Sequence, residues 1–78
     1  MNIKTACLLY HLSNLETQYL DCLDIRNNSP IGSKRYKSAC KLAEAIEQEA
    51  SEMVFGDTTH SFSECNEQAD ELRKTLAA

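Results

Sequence analysis

Two histidines and four cysteines are the residues of this chain whose types could carry chemistry. Cys7 and His11 lie four apart, which puts both on one side of a helix, and His60 and Cys65 lie five apart. Thiol and imidazole together serve a zinc site or a nucleophilic thiol. A structural zinc site needs four soft ligands, usually anchored by a close pair of the Cys-x-x-Cys kind. No such pair occurs among Cys7, Cys22, Cys40 and Cys65. Cys22 and Cys65 fall inside apolar stripes, where free cysteine behaves as a small hydrophobe. A catalytic thiol needs an electropositive setting and an orienting base, and the sequence sets neither histidine against an exposed cysteine in such a place. Glycine-rich phosphate loops, HExxH and the nucleophile elbow are missing. The expectation is no metal site, no cofactor, no catalytic residue and no enzyme.

The 78 residues form one domain, 1–78, near the lower end of what folds unaided. One proline, two glycines and 42% hydrophobic residues favour helices. Cysteine gaps of 15, 18 and 25 without a secretory leader point to reduced thiols and a cytoplasmic setting. The longest apolar run, Ala6–Tyr10, is far too short to span a membrane, and lipidation signals are absent.

The periodicity predicts an all-α fold, a small antiparallel three-helix bundle with helices over about 3–25, 30–54 and 61–77. In the first helix Leu8, Leu12, Leu15, Tyr19, Cys22 and Leu23 recur at spacings of three and four, and Leu9 and Leu20 widen that face. Tyr10 points away from it. So broad a stripe fits a helix with two neighbours, or with one neighbour and a second copy of the chain, so a homodimer through helix 1 is an expectation. The second helix has two candidate starts: Ser29 as N-cap with Pro30 in the first turn, or Ser33 as N-cap after Gly32. Its inner face reads Tyr36, Ala39, Cys40, Ala43, Ile46, Ala50, Met53 and Val54, and the alanines imply close approach of a neighbour. Gly56 is placed to end that helix in a left-handed conformation. Ser61 and Glu64 have capping-box spacing ahead of a seam of Phe62, Cys65, Ala69, Leu72 and Leu76.

Charge is the strongest functional signal. The net charge is −4, but residues 1–41 hold six Lys/Arg against three Asp/Glu, while residues 42–78 hold two against nine. The halves therefore carry +3 and −7. Lys34, Arg35 and Lys37 open the second helix and Glu49 and Glu52 close it, the wrong way round for the helix dipole. In an antiparallel hairpin Asp21 and Asp24 would face Lys34, Arg35 and Lys37 across the loop, which offsets that penalty. The acids of the second half have no such answer. Glu44, Gln48, Glu52, Glu64, Glu67, Asp70 and Glu71 are the candidate partner-binding residues, and a partner with a basic surface is their natural complement. Such a surface also imitates the phosphate rows of a nucleic acid. The rival reading is a nucleic-acid-binding regulator using Lys34, Arg35, Lys37 and Lys41. The acidity of the whole domain weighs against it, as does a third helix that opens with Glu64 and Glu67. A third reading is a structural oligomerisation domain.

In size, acidity and single helical domain, the chain resembles small accessory proteins of bacteriophages and mobile elements. That resemblance rests on bulk properties and implies an inhibitor or adaptor that binds a host protein.

Overall fold

Lys34 opens the second helix because the residues before it form a turn of their own. The Ser33 N–H donates to the Pro30 carbonyl at 3.1 Å, and Gly32 between them has φ +85°. That backbone cannot continue into a right-handed helix. The computed structural model describes residues 3–77, with helices α1 Ile3–Asn27, α2 Lys34–Phe55 and α3 Phe62–Ala77. The start of helix 2 at Pro30 is thereby corrected. Ser33 is the N-cap, its hydroxyl accepting from the Tyr36 N–H at 3.2 Å.

The remaining helix ends follow from local chemistry. At the end of α1 the Asp24 carbonyl accepts from the Asn28 N–H at 3.0 Å and from its side-chain amide at 2.8 Å. The Ser29 hydroxyl donates to the Ile25 carbonyl at 2.6 Å, so side chains satisfy acceptors that the helix leaves open. Gly56, at φ 78°, ends α2 and donates its N–H to the Glu52 carbonyl at 3.0 Å. The capping box forms in both directions. Ser61 Oγ accepts from the Glu64 N–H at 3.2 Å, and Glu64 Oε1 accepts from the Ser61 N–H at 3.2 Å.

The three helices form a small bundle, and α1 packs on both α2 and α3. α1 and α2 run antiparallel: His11 meets Glu49 towards one end, and Cys22 and Ile25 share a groove with Ala39 and Leu42 towards the other. The core joins Leu12, Leu15 and Cys22 of α1, Ala43, Ile46 and Ala50 of α2, and Phe62, Cys65 and Ala69 of α3. Ala39, Ala43 and Ala50 are buried on the inner face of α2, as their spacing predicts. α3 begins well along α1, because the Phe62 ring stacks on Tyr19 with centroids 4.8 Å apart. Beyond that level α1 has only α2 beside it. Leu20, expected to widen the inner face, is therefore exposed. Among the described residues no helix is long and apolar enough to cross a membrane.

A Cβ added at Gly56 meets nothing within 4 Å, so Gly56→Ala tests backbone conformation alone. It should lower stability in urea unfolding by about 1–2 kcal/mol, the cost of a left-handed L-residue.

Candidate functional site

Ser51 is fully buried on the flank of α2 where the chain returns after Gly56. Its hydroxyl donates to Asp57 Oδ1 at 2.8 Å and accepts from the His60 N–H at 3.1 Å. The same Asp57 oxygen accepts from the Thr59 N–H at 3.1 Å and the Thr59 hydroxyl at 3.2 Å, the turn that Asp two residues before Thr commonly makes. His60 Nδ1 lies 2.7 Å from it. An ionised carboxylate only accepts, so the ring carries its proton on Nδ1. These donors, the His60 ring first and the Thr59 N–H next, hold the Asp57 carboxyl well below the usual carboxylate range. The other face of the arrangement is aromatic: the His60 ring stacks on Phe55 with centroids 3.7 Å apart.

This knot fixes the 56–61 segment against α2 and so places the start of α3. Glu47 Oε2 accepts from the Phe62 N–H at 2.8 Å, satisfying one of the N-terminal donors of α3 from a neighbouring helix. His60 Nε2 also reaches Glu64 Oε2 at 3.9 Å. Two open grooves flank the segment and share His60 and Glu64. One is bordered by Glu44, Glu47 and Gln48, the other by Phe55, Glu67, Asp70 and Glu71.

Six of the seven residues expected to form an acidic surface thus border these two grooves: Glu44, Gln48, Glu64, Glu67, Asp70 and Glu71. Glu52 lines neither. Not all of this charge is unanswered. Asp70 pairs with Arg73 at 2.9 Å and Glu71 with Lys74 at 3.4 Å, each three residues apart along α3. Glu44 and Glu67 are exposed and make no ion pair among the described residues. Ser51, and the structural role of His60, are not visible in the sequence. Instead of a ligand or a base, the histidine is a donor to Asp57 through Nδ1, with Glu64 3.9 Å from its Nε2. The Asp57-Thr58-Thr59-His60 stretch carried the turn signal, but the register that buries Ser51 beneath it is tertiary.

The basic set is less coherent. Lys34, Arg35, Lys37 and Lys41 are all exposed, but Arg35 lies apart, lining a groove with Cys22, Ile25 and Leu42. No ion pair joins Lys34, Arg35 or Lys37 to Asp21 or Asp24 among the described residues, so the expected cross-loop pairing is corrected. The chain spends six residues, 28–33, on its turn, and Asp24 is bonded to Asn28 instead. The cysteines are free; Cys22 and Cys65 are buried, and burial, with Glu47 and Glu64 nearby, pushes the Cys65 thiol up. Among the described residues no three His, Cys, Asp or Glu side chains are grouped to hold a metal ion.

Comparison with protein-family models, curated proteins and solved structures finds no match to this chain.

Asp57 makes a definite pH signature. Its folded pKa lies below the unfolded value of about 3.9, so its contribution is complete above that pH. The contribution is lost as pH falls through the folded pKa. Acid titration of stability by circular dichroism should show wild type losing more than Asp57→Asn below about pH 4. Parallel curves would remove the knot from the stability of the fold.

Proposed function

We propose that the chain is a protein-interaction module whose acidic α2–α3 surface receives a basic segment of a partner protein, as an inhibitor or adaptor does. The observation that carries this reading is the pair of contiguous grooves around His60 and Glu64, bordered by Glu44, Glu67, Asp70 and Glu71. An arginine-bearing helix or strand laid along them meets carboxylates on both sides. It also finds an aromatic surface at Phe55, which is partly exposed beside His60, suited to a guanidinium plane. Aromatic anchors ringed by polar groups are where interface energy concentrates. Imitation of nucleic-acid phosphates is the finer form of the same reading.

The nucleic-acid reading draws on the exposed Lys34, Lys37 and Lys41 near the start of α2. Tyr36, the aromatic among them, is half-buried and gives no free stacking surface.

Titration of labelled protein with an arginine-rich helical peptide, followed residue by residue by NMR, tests the proposal. Shifts should centre on Phe55, His60, Glu64 and Glu67, weaken with salt, and fall at least about tenfold in affinity for Glu44→Lys/Glu67→Lys. Binding unchanged by the double reversal would sink the reading. Salt-sensitive binding of duplex DNA, abolished by Lys34→Ala/Lys37→Ala/Lys41→Ala, would favour the rival.

A further inference from the structure

The α1–α2 hairpin has two faces. α3 packs on one of them; the other is open from end to end and has apolar ground at both ends. At the loop end, Cys22, Ile25, Ala39 and Leu42 form a small groove, with Leu42 still 55% exposed and Ile25 38%. At the other end, Ile3, Ala6, Cys7, Tyr10 and Met53 border a second.

Along this face α2 presents Arg35, Ser38, Leu42, Ala45, Glu49 and Glu52, all exposed and spaced alternately three and four apart. Basic residue, small centre, acidic end: laid antiparallel on itself, the stripe is self-complementary. Arg35 meets the partner's Glu52, Ser38 meets the partner's Glu49, and Leu42 packs on the partner's Ala45. The matching stripe on α1 is Cys7, His11, Asn14, Gln18, Asp21 and Ile25, again all exposed. Antiparallel pairing sets Cys7 on the partner's Ile25, His11 on the partner's Asp21, and Asn14 beside the partner's Gln18.

The spacing alone is generic for helices and repeats its centre about every 3.5 residues. The charge order, Arg35 at one end and Glu49 and Glu52 at the other, selects the centre between Leu42 and Ala45. The α2 stripe is centred between Leu42 and Ala45, and the α1 stripe between Asn14 and Gln18. The His11–Glu49 contact, 3.7 Å, fixes how the helices are aligned in the hairpin. Counted from it, the α1 centre lies about five residues along α1 and the α2 centre about five and a half back along α2, which is the same height. One two-fold axis therefore serves both stripes. It also carries the apolar ground at one end of the face onto that at the other end of the second copy.

We infer that two copies of this chain pair through the open α1–α2 face, antiparallel, to complete a four-helix bundle with α3 outside it. Each contact occurs twice, as an isologous interface requires. Across the axis Arg35 meets a carboxylate of opposite sign, Glu49 meets a hydroxyl and Asp21 meets an imidazole. α2 rises about 33 Å and two helices span about 20 Å, a flat footprint on the order of 650 Å² per copy. Interdigitating side chains raise that towards the ~800 Å² per partner of a stable interface. The face is distinct from the grooves around His60, so pairing leaves the proposed partner surface open, and the two ideas fail independently.

Sedimentation equilibrium of the full chain tests this. Wild type at about 100 μM, within the range where interfaces of this size assemble, should show twice the 8.8 kDa of one chain. Leu42→Glu alters an exposed position, so the helix should keep its circular dichroism while self-association weakens at least about a hundredfold, since the charge enters the interface twice. Arg35→Glu should weaken it as well, and Arg35→Glu/Glu52→Arg should restore it. Mild oxidation of Ile25→Cys should give a dimer cross-linked to Cys7, whereas wild type should give no Cys7–Cys7 dimer, because antiparallel pairing holds those thiols far apart. A monomer at that concentration, a dimer indifferent to Leu42→Glu, or a wild-type Cys7–Cys7 cross-link would each overturn the proposal.

Discussion

The Asp57 carboxylate, pinned by Ser51, Thr59 and His60, is the contact on which the third helix depends. Without it, the segment after Gly56 would have little to hold it to α2. With it, the chain is drawn back along α2 until the Phe62 N–H reaches Glu47 and the Phe62 ring reaches Tyr19. The anchor is polar, but the gain is apolar. It brings Phe62, Cys65 and Ala69 onto Leu12, Leu15 and Ala50, which completes a core that the hairpin alone would leave half uncovered. A small domain has few large side chains to spare, so a correctly placed α3 matters more here than in a larger fold.

The same contact organises the surface. His60 touches Asp57 and Glu64 and stacks on Phe55, so one imidazole joins the end of α2, the connecting turn and the start of α3. The acids on either side are then held at fixed spacing on rigid helices. Fixed spacing makes an acidic surface selective: a flexible acidic tail attracts any basic partner, whereas a groove rewards one whose charges match its geometry.

Much of the fold was legible because it is local. The capping box at Ser61 and Glu64, the left-handed Gly56 and the alanine stripe of α2 all depend on residues within a few positions of one another. The start of α2 was ambiguous because Ser29–Pro30 and Ser33 both carry valid helix-start signals; the positive φ of Gly32 decides between them and leaves no mark in composition. Leu20 was misjudged for a different reason. Periodicity reports which face is apolar, but not how far a neighbouring helix extends along it, and α3 stops short at Tyr19. The gathering of acids was readable as charge, but its arrangement around His60 was not, since it follows from the tertiary burial of Ser51.

The charge pattern of α2 is the feature that one chain explains least. Cations at a helix start and anions at its end each cost roughly 0.3–1 kcal/mol against the dipole. Within the molecule the end of α1 lies beside the start of α2, where Arg35 lines a groove with Cys22 and Ile25. Glu49 has His11 at 3.7 Å. Glu52 makes no ion pair among the described residues. A second, antiparallel α2 changes its position: it brings a helix start, with its partial positive charge and its Arg35, beside the acidic end. Residues misplaced for their own helix are well placed for a neighbour running the other way. A sequence that charges α2 against its own dipole but α3 in accord with it, with Glu64 in the first turn and Lys74 in the last, is therefore treating the two helices differently. The difference matches the proposed pairing, in which α3 lies outside and α2 at the centre.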